Sequence, residues 1–319
     1  MKTALPLAAL ATLLLTGTSL AAPDVVASIK PIHSLVAAVM EGVGEPVLIV
    51  RGAASPHTYA LRPSDAAALE AADIVFWTGQ GMELFLGDAL DTLSGDAEVV
   101  ELSHAPGIDL LPIREGGAFE AHAHGDDDHD HHDHDHDHDH DHDHDHDHGG
   151  ADMHFWLDPQ NAKLMVTEIA TVLAEADPGN AAAYGANAEA ELVRLDELEE
   201  ELRQILAPVA GKPFIVFHDA YQYFENRFGL EVAGTVTVSP EAMPGAARID
   251  ELRAKVAELG ATCVFAEPNF EPAIVRTIVE GTQAGSGTLD PEGATLAEGP
   301  DLYPGLLRNL ATGLAECLG

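Results

Sequence analysis

Apolar and polar positions alternate along the chain in two ways, and the change from one to the other divides it. In the first part short apolar runs, each the length of a buried strand, are followed by stripes of helical period. Asp24 to Ile29 reads as a buried strand and Ile32 to Met40 as a helix ended by Gly42. Pro46 to Val50 is a second strand, Asp65 to Ala72 a helix capped by Ser64, Ile74 to Thr78 a third strand and Glu98 to Leu102 a fourth. The same alternation returns after Gly211. Strands are predicted at Phe214–Phe217, Glu231–Val238, Thr262–Ala266 and in a short piece near Thr288, with helical period over Arg248–Leu259, Pro272–Glu280 and Leu306–Glu316. The fold class is therefore α/β. Each half is a small open sheet of mostly parallel strands flanked by helices.

Between the halves the pattern becomes purely helical. Asp158-Pro159 supplies an N-cap and a first-turn proline for a helix reaching about Ala176, and Asp177-Pro178-Gly179 breaks it. From about Asn180 to Leu206 the residues Leu192, Leu195, Leu198, Leu202, Ile205 and Leu206 keep helical spacing, and Glu199 stands four residues before Arg203. At 1.5 Å per residue this helix spans about 40 Å, enough to link one lobe rigidly to the other and keep closure on a ligand modest. The expected organisation is an N-terminal lobe over 22–178, a linking helix over 179–209 and a C-terminal lobe over 210–319.

The opening residues change the picture of where the chain works. Met1-Lys2 and the apolar run Ala4–Leu15, too short to span a bilayer comfortably, with small residues at Ser19 and Ala21, read as a secretory signal over 1–21. No cysteine follows the expected cleavage point to take a lipid anchor, so an exported protein is expected. No later apolar stretch is long enough to cross a membrane, which leaves transport to another subunit. With 54 Asp and Glu against 15 Lys and Arg, a formal charge of -39 makes nucleic acid and anionic membranes poor partners and cations good ones. The two cysteines, Cys263 and Cys317, would meet an oxidising compartment, where a disulfide is the expected outcome. Two thiolate metal ligands are the alternative, without a CxxC pair to support them.

From Ala118 to Ala151 the chain stops reading as globular. His129, His131, His132, His134, His136, His138, His140, His142, His144, His146 and His148 stand among aspartates, mostly in strict alternation. A segment this polar cannot bury enough surface to offset roughly 1–2 kcal/mol of backbone entropy per residue, so it is expected to be disordered without metal. Imidazole beside carboxylate suits zinc first, then copper or nickel, far better than calcium or magnesium. An acidic spacer would need no imidazoles.

Outside that tract five histidines remain: His33, His57, His104, His154 and His218. His57 lies in a loop after the second predicted strand, His154 just before the helix capped by Asp158, and His218 directly after the strand Phe214–Phe217. In open α/β sheets ligands bind beyond the carboxyl ends of strands, so two facing sheets would point these residues into one cleft. Asp290, before Pro291, holds the same kind of position, though Asp-Pro also marks turns. His33 and His104 follow predicted strands without such support. Glu267 is expected to hydrogen-bond backbone near the cleft, and Phe155 and Trp156 to pack around His154.

Ser55-Pro56-His57 with Leu61-Arg62-Pro63-Ser64-Asp65, His154-Phe155-Trp156-Leu157-Asp158-Pro159, Phe217-His218-Asp219-Ala220-Tyr221, Phe265-Ala266-Glu267-Pro268 and Gly287-Thr288-Leu289-Asp290-Pro291 together resemble the periplasmic zinc-binding proteins of zinc ABC importers, ZnuA type, within the cluster A-I solute-binding proteins. The resemblance covers nearly the whole chain after the signal, with the acidic His-rich loop in the family's place. It implies two pseudo-symmetric lobes, a rigid linking helix, zinc held between the lobes by His57, His154 and His218, and delivery to a membrane permease with its ATPase by a monomer. Manganese-binding relatives carry a glutamate where this chain has His218, so the third imidazole favours zinc. Some zinc members place a glutamate before the first histidine, where this chain has Pro56; the fourth position then falls to Asp290 or to water, with Asp290 favoured because holding sites are usually closed.

Three histidines and an open position also suit a zinc hydrolase. No HExxH or GxSxG pattern and no evident general base accompany them, so an enzyme is not expected. A passive metal buffer would explain the tract but not two lobes and a long helix.

Overall fold

In the computed structural model, residues 22–319 are described apart from 96, 115–118, 120–149, 238–243, 261–262, 269 and 271. The tract histidines and the signal segment lie outside the described residues.

Two four-stranded sheets carry the fold. In the first, β1 (Val25–Ala27), β2 (Val47–Leu48), β3 (Ile74–Trp77) and β4 (Glu98–Glu101) lie in the order β2-β1-β3-β4, every pair parallel. The crossovers are α1 (Lys30–Val39), α2 (Pro63–Ala71) and α3 (Leu84–Leu93). A two-stranded antiparallel neck, β5 (Leu111–Pro112) with β6 (Ala151–Asp152), brackets the His/Asp tract. After α4 (Pro159–Ala176) and α5 (Ala181–Leu206) the second sheet is built from β7 (Pro213–Val216), β8 (Glu231–Thr235), β9 (Cys263–Ala266) and β10 (Gly285–Thr288). Its order is β10-β9-β7-β8, again parallel, with α6 (Gln222–Phe228), α7 (Ala246–Leu259) and α8 (Pro272–Val279) between the strands and α9 (Leu302–Leu318) at the end. Read from the other edge, this repeats the first sheet: the first strand takes second place, the next goes to its outer side, and the last two follow on the far side. Each half thus has a switch point between the carboxyl ends of its first and third strands, where such sheets open a crevice.

The expected elements hold with shifts that have local causes. α2 begins at Pro63 rather than after Ser64, because Pro63 takes a first-turn position where its missing N–H costs nothing and Asp65 accepts from the Arg62 backbone N–H at 3.0 Å. β2 is shorter than the apolar run that contains it. Three features have no counterpart in the sequence reading: α3, whose pattern is interrupted by Gly87; α6, which is only seven residues long; and the β5–β6 neck. α4 starts as expected, Asp158 accepting from the Gln160 N–H at 2.8 Å ahead of Pro159.

α5 is not a free-standing rod. It packs along α4 and against α1 and α9, burying Tyr184, Ala188, Leu195, Leu198, Leu202 and Leu206 at successive helical turns. One contiguous apolar core consequently runs from β1 through these helices to β7 and α9. Buried polar contacts reinforce the join. Lys30 Nζ donates to the carbonyls of Gly293, Ala294 and Leu296 at 3.0–3.1 Å, and the Tyr303 hydroxyl donates to the Trp156 carbonyl at 2.6 Å. The two sheets are therefore joined by packing as well as by the helix.

Cys263, at the start of β9, and Cys317, in the last turn of α9, form a disulfide with Cα atoms 6.1 Å apart. Closing a loop with a sequence separation of 54 constrains the unfolded chain by about 4 kcal/mol on the chain-entropy model. Cys317→Ser is therefore expected to lower unfolding free energy by about that amount in denaturant titrations, an effect that disappears when both proteins are compared under reducing conditions.

Candidate metal centre

The switch point of the second sheet presents His218, which leaves the end of β7, beside Glu267, which leaves the end of β9. Each lies in the first residues past its strand because the parallel ladder β7–β9 fixes the two strand ends side by side. His57 comes from the turn after β2, in the other sheet. His154 comes from the segment between the β5–β6 neck and α4. These three side chains meet. One nitrogen from each lies within 4.8 Å of the others, and among the described residues no other group of three or more His, Cys, Asp or Glu converges in this way. The ring centroids are 5.2–5.6 Å apart.

The neighbours determine which nitrogens face inward. His154 Nδ1 lies 2.8 Å from Asp152 Oδ1, and His218 Nδ1 lies 2.7 Å from Glu267 Oε1. A carboxylate accepts, so each Nδ1 carries the proton and each Nε2 offers a lone pair. Those two Nε2 atoms stand 3.3 Å apart. The Nε2 of His57 is buried with no hydrogen-bond partner. Tetrahedral coordination with Zn–N of 2.0–2.1 Å requires ligand nitrogens about 3.3–3.4 Å apart, the separation found between His154 and His218. Carboxylate–histidine pairs of this kind hold metal-binding imidazoles in one orientation.

The electrostatics are uneven. Burial, followed by the neighbouring His154 and His218, pushes the His57 pKa down to about 2, so this imidazole is neutral at any working pH. Burial also opposes a charge on His218, but the Glu267 carboxylate more than offsets it and the pKa is raised. Glu267 in turn accepts from the Tyr221 hydroxyl at 3.3 Å, a phenol whose pKa burial and that same carboxylate hold well above its ordinary value. The partner of the Glu267 side chain is thus His218, one of the three converging histidines, and not the backbone expected from sequence. Phe155 and Trp156 are fully buried, with the indole 5.2 Å from the His154 ring.

Asp290 is not part of the converging group. Its carboxylate accepts from the Ala294 N–H at 3.0 Å, the Thr295 N–H at 3.1 Å and the Thr295 hydroxyl at 3.2 Å, the turn role that an Asp-Pro sequence also permits. His33 lies inside α1, where its Nε2 is 3.1 Å from the Pro46 carbonyl, and His104 is 3.9 Å from Glu101; neither reaches the three histidines. Sequence reasoning missed Asp152. Its signal was present, since an aspartate two residues before a histidine accepts from that residue's own N–H, here at 3.0 Å.

The family description "Zinc-uptake complex component A periplasmic" (ZnuA) matches residues 25–317. The chain belongs to the ZnuA family. It is 57% identical over 314 residues to the "High-affinity zinc uptake system protein ZnuA" of Brucella abortus (strain 2308), covering 95% of this chain and 94% of that protein. Against the ZnuA of Paracoccus denitrificans (strain Pd 1222) the identity is 43%, over 93% and 92% of the two chains. A crystal structure of ZnuA superposes with a TM-score of 0.75 at 27% identity, covering 93% of this chain and all of that one, and a ZnuA deletion mutant with zinc bound gives 0.71, also at 27%.

The carboxylates behind His154 and His218 have a measurable consequence. Glu267→Gln keeps an acceptor for His218 Nδ1 but removes its charge, so zinc affinity at neutral pH is expected to fall about tenfold. A zinc-ligating His218 would be contested by protons below its raised pKa; without the carboxylate that pKa drops, and the acid loss of zinc is expected to move to lower pH. Affinity measured from pH 5 to 8 checks both. An unshifted acid limb in the variant would assign the competing proton to another group.

Proposed function

We propose that this protein captures zinc outside the cytoplasm and hands it, as a monomer, to a membrane permease driven by an ATPase. The observation that carries the reading is the convergence of one nitrogen from each of His57, His154 and His218 within 4.8 Å of one another, with the Nε2 atoms of His154 and His218 3.3 Å apart and the buried Nε2 of His57 without a hydrogen-bond partner. Borderline nitrogen donors in this arrangement suit zinc, and a harder ion would prefer the oxygens that the site directs away from its centre. The described residues include no helix long and apolar enough to cross a membrane. The family's periplasmic assignment accords with a signal segment over 1–21 that is removed on export.

His57, His154 and His218 hold the ion, and water fills the fourth position unless Asp290 gives up its turn. Replacing Asp290 with Ala is expected to weaken zinc binding less than loss of any histidine, since water replaces an oxygen donor more readily than a nitrogen one. A hydrolase would need a base beside that fourth position. Glu267 is already committed to His218 and Tyr221, which supports capture over catalysis. Chelator-competition titrations with zinc, manganese and cobalt, followed by growth of a deletion strain under zinc limitation with and without the gene, test the reading. A preference for manganese, or normal growth without the gene, would refute it.

The His/Asp tract gathers zinc loosely beside the cleft. The described neck on either side of it supports this reading: Ile113 N–H donates to the Gly150 carbonyl at 2.9 Å, two residues before Asp152.

A further inference from the structure

The neck does more than anchor the tract. Its strand β6 ends in Asp152, which orients His154, and its strand β5 runs into Arg114, which reaches the other half of the molecule. Arg114 Nε donates to Asp219 Oδ2 at 2.9 Å, its NH2 group donates to Asp219 Oδ1, and NH1 lies 2.8 Å from Glu225 Oε2. The guanidinium also stacks 4.2 Å from the Phe119 ring. Asp219 is the residue after His218. Glu225 is in α6, and its other oxygen accepts from the Val232 N–H of β8 at 2.6 Å. α6 grips the neck from its own side as well: the Tyr223 hydroxyl donates to the Asp152 carbonyl at 2.7 Å, and Gln222 Nε2 donates to the Pro112 carbonyl at 3.0 Å. The piece of chain that aims one ligand is thus bolted to the piece that aims another, and the guanidinium fork is the charged part of the bolt.

We propose that Arg114 is a positioning residue for the zinc site, clasping the neck that carries His154 to the segment that carries His218 and so setting how slowly zinc leaves. Release requires the two Nε2 atoms to separate or rotate. Asp152 and Glu267 hold each ring, but nothing in either pair holds the two backbones at a fixed distance. To the Tyr223 and Gln222 contacts Arg114 adds the charged part of that link, because a planar fork can satisfy Asp219 with two parallel N–H groups while a third group faces Glu225. A lysine offers a point charge and cannot span both acids in that way. The opposite expectation follows from charge alone: removing a cation near a bound zinc ion should make zinc leave more slowly.

The inference rests on the cleft being the tight zinc site, so its test separates the two. The full-length protein is loaded with one equivalent of zinc and mixed with an excess of a chromogenic zinc chelator, and the slow phase of release is timed. Loss of that phase in His218→Ala assigns it to the cleft. Arg114→Ala and Arg114→Lys are each expected to speed it about tenfold, the lower end of what supporting residues contribute at metal sites. The melting midpoint of each zinc-free variant is measured alongside. A lowered midpoint with an unchanged release rate would reduce Arg114 to a purely structural role and overturn the proposal. So would slower release in Arg114→Ala, or full recovery in Arg114→Lys. If His218→Ala itself kept the slow phase, the cleft reading would fail and the clasp with it; if the phase needed His218 but ignored Arg114, only the clasp would fail.

Discussion

His218→Ala is expected to weaken zinc binding by roughly 10²–10³-fold. The binding free energy of structural zinc sites is about 10–16 kcal/mol at neutral pH, which spread over four ligands is about 2.5–4 kcal/mol each. The loss should not be softened by rearrangement here. His218 is buried, its ring is pinned by Glu267, and the alanine would leave that carboxylate and the Tyr221 hydroxyl facing an empty space, with no histidine beyond His57 and His154 in the converging group to replace it. Water can enter, but it is a weaker donor than imidazole for a borderline ion. Chelator-competition titration of the variant, lacking the tract so that weak sites do not mask the result, reads the change directly. Affinity within threefold of the parent would remove His218 from the ligand set.

Deletion of 121–150 is expected to abolish all weak zinc sites while leaving one tight site of unchanged affinity. The composition of the tract offers many interchangeable imidazoles, so each binding event is expected to cost chain ordering, whereas the cleft is preorganised by Asp152, Glu267 and the core beneath them. Protons compete with zinc for imidazoles of pKa about 6.5, and tract sites should empty first as pH falls. In the cleft burial pushes the His57 pKa down to about 2, so protons contest His218, whose pKa is raised, and not His57; the tract empties first because each of its sites is weaker. Calorimetry at pH 7.5 and 6 resolves the two classes: the weak heats should disappear with the deletion and, in the parent, fade at the lower pH before the tight one. For the cell the consequence is local concentration, so slower zinc uptake is expected only when zinc is scarce. Loss of the tight site on deletion would make the tract part of it.

The three histidines were legible because each stands beside a strong local signal: an apolar strand before His218, a capped proline-started helix after His154, and the loop after a strand for His57. Strand ends in an open parallel sheet point one way, so position along the chain translated into position in the cleft. Asp290 shared that signal without joining the cluster, because its two N–H partners at Ala294 and Thr295 are local and available whatever the other sheet does. What the sequence hid were contacts between distant segments. Nothing near Glu267 announces that β9 will lie beside β7, and nothing near Arg114 announces Asp219, which is 105 residues away. Short elements hid as well. α6 has seven residues, fewer than two full turns of periodicity, yet it positions the neck. The linking helix was legible in length, but its burial against α4, α1 and α9 depends on surfaces that no single stripe specifies.

The central claim is that one zinc ion sits among His57, His154 and His218. Anomalous diffraction at the zinc edge, from crystals of the protein grown with one equivalent of zinc, tests it most directly. The account predicts a single strong peak about 2.0–2.1 Å from the Nε2 atoms of all three histidines, with oxygen completing the tetrahedron. A peak bound through Nδ1, a peak that leaves any of the three unligated, or the strongest peak lying outside this cluster would contradict it.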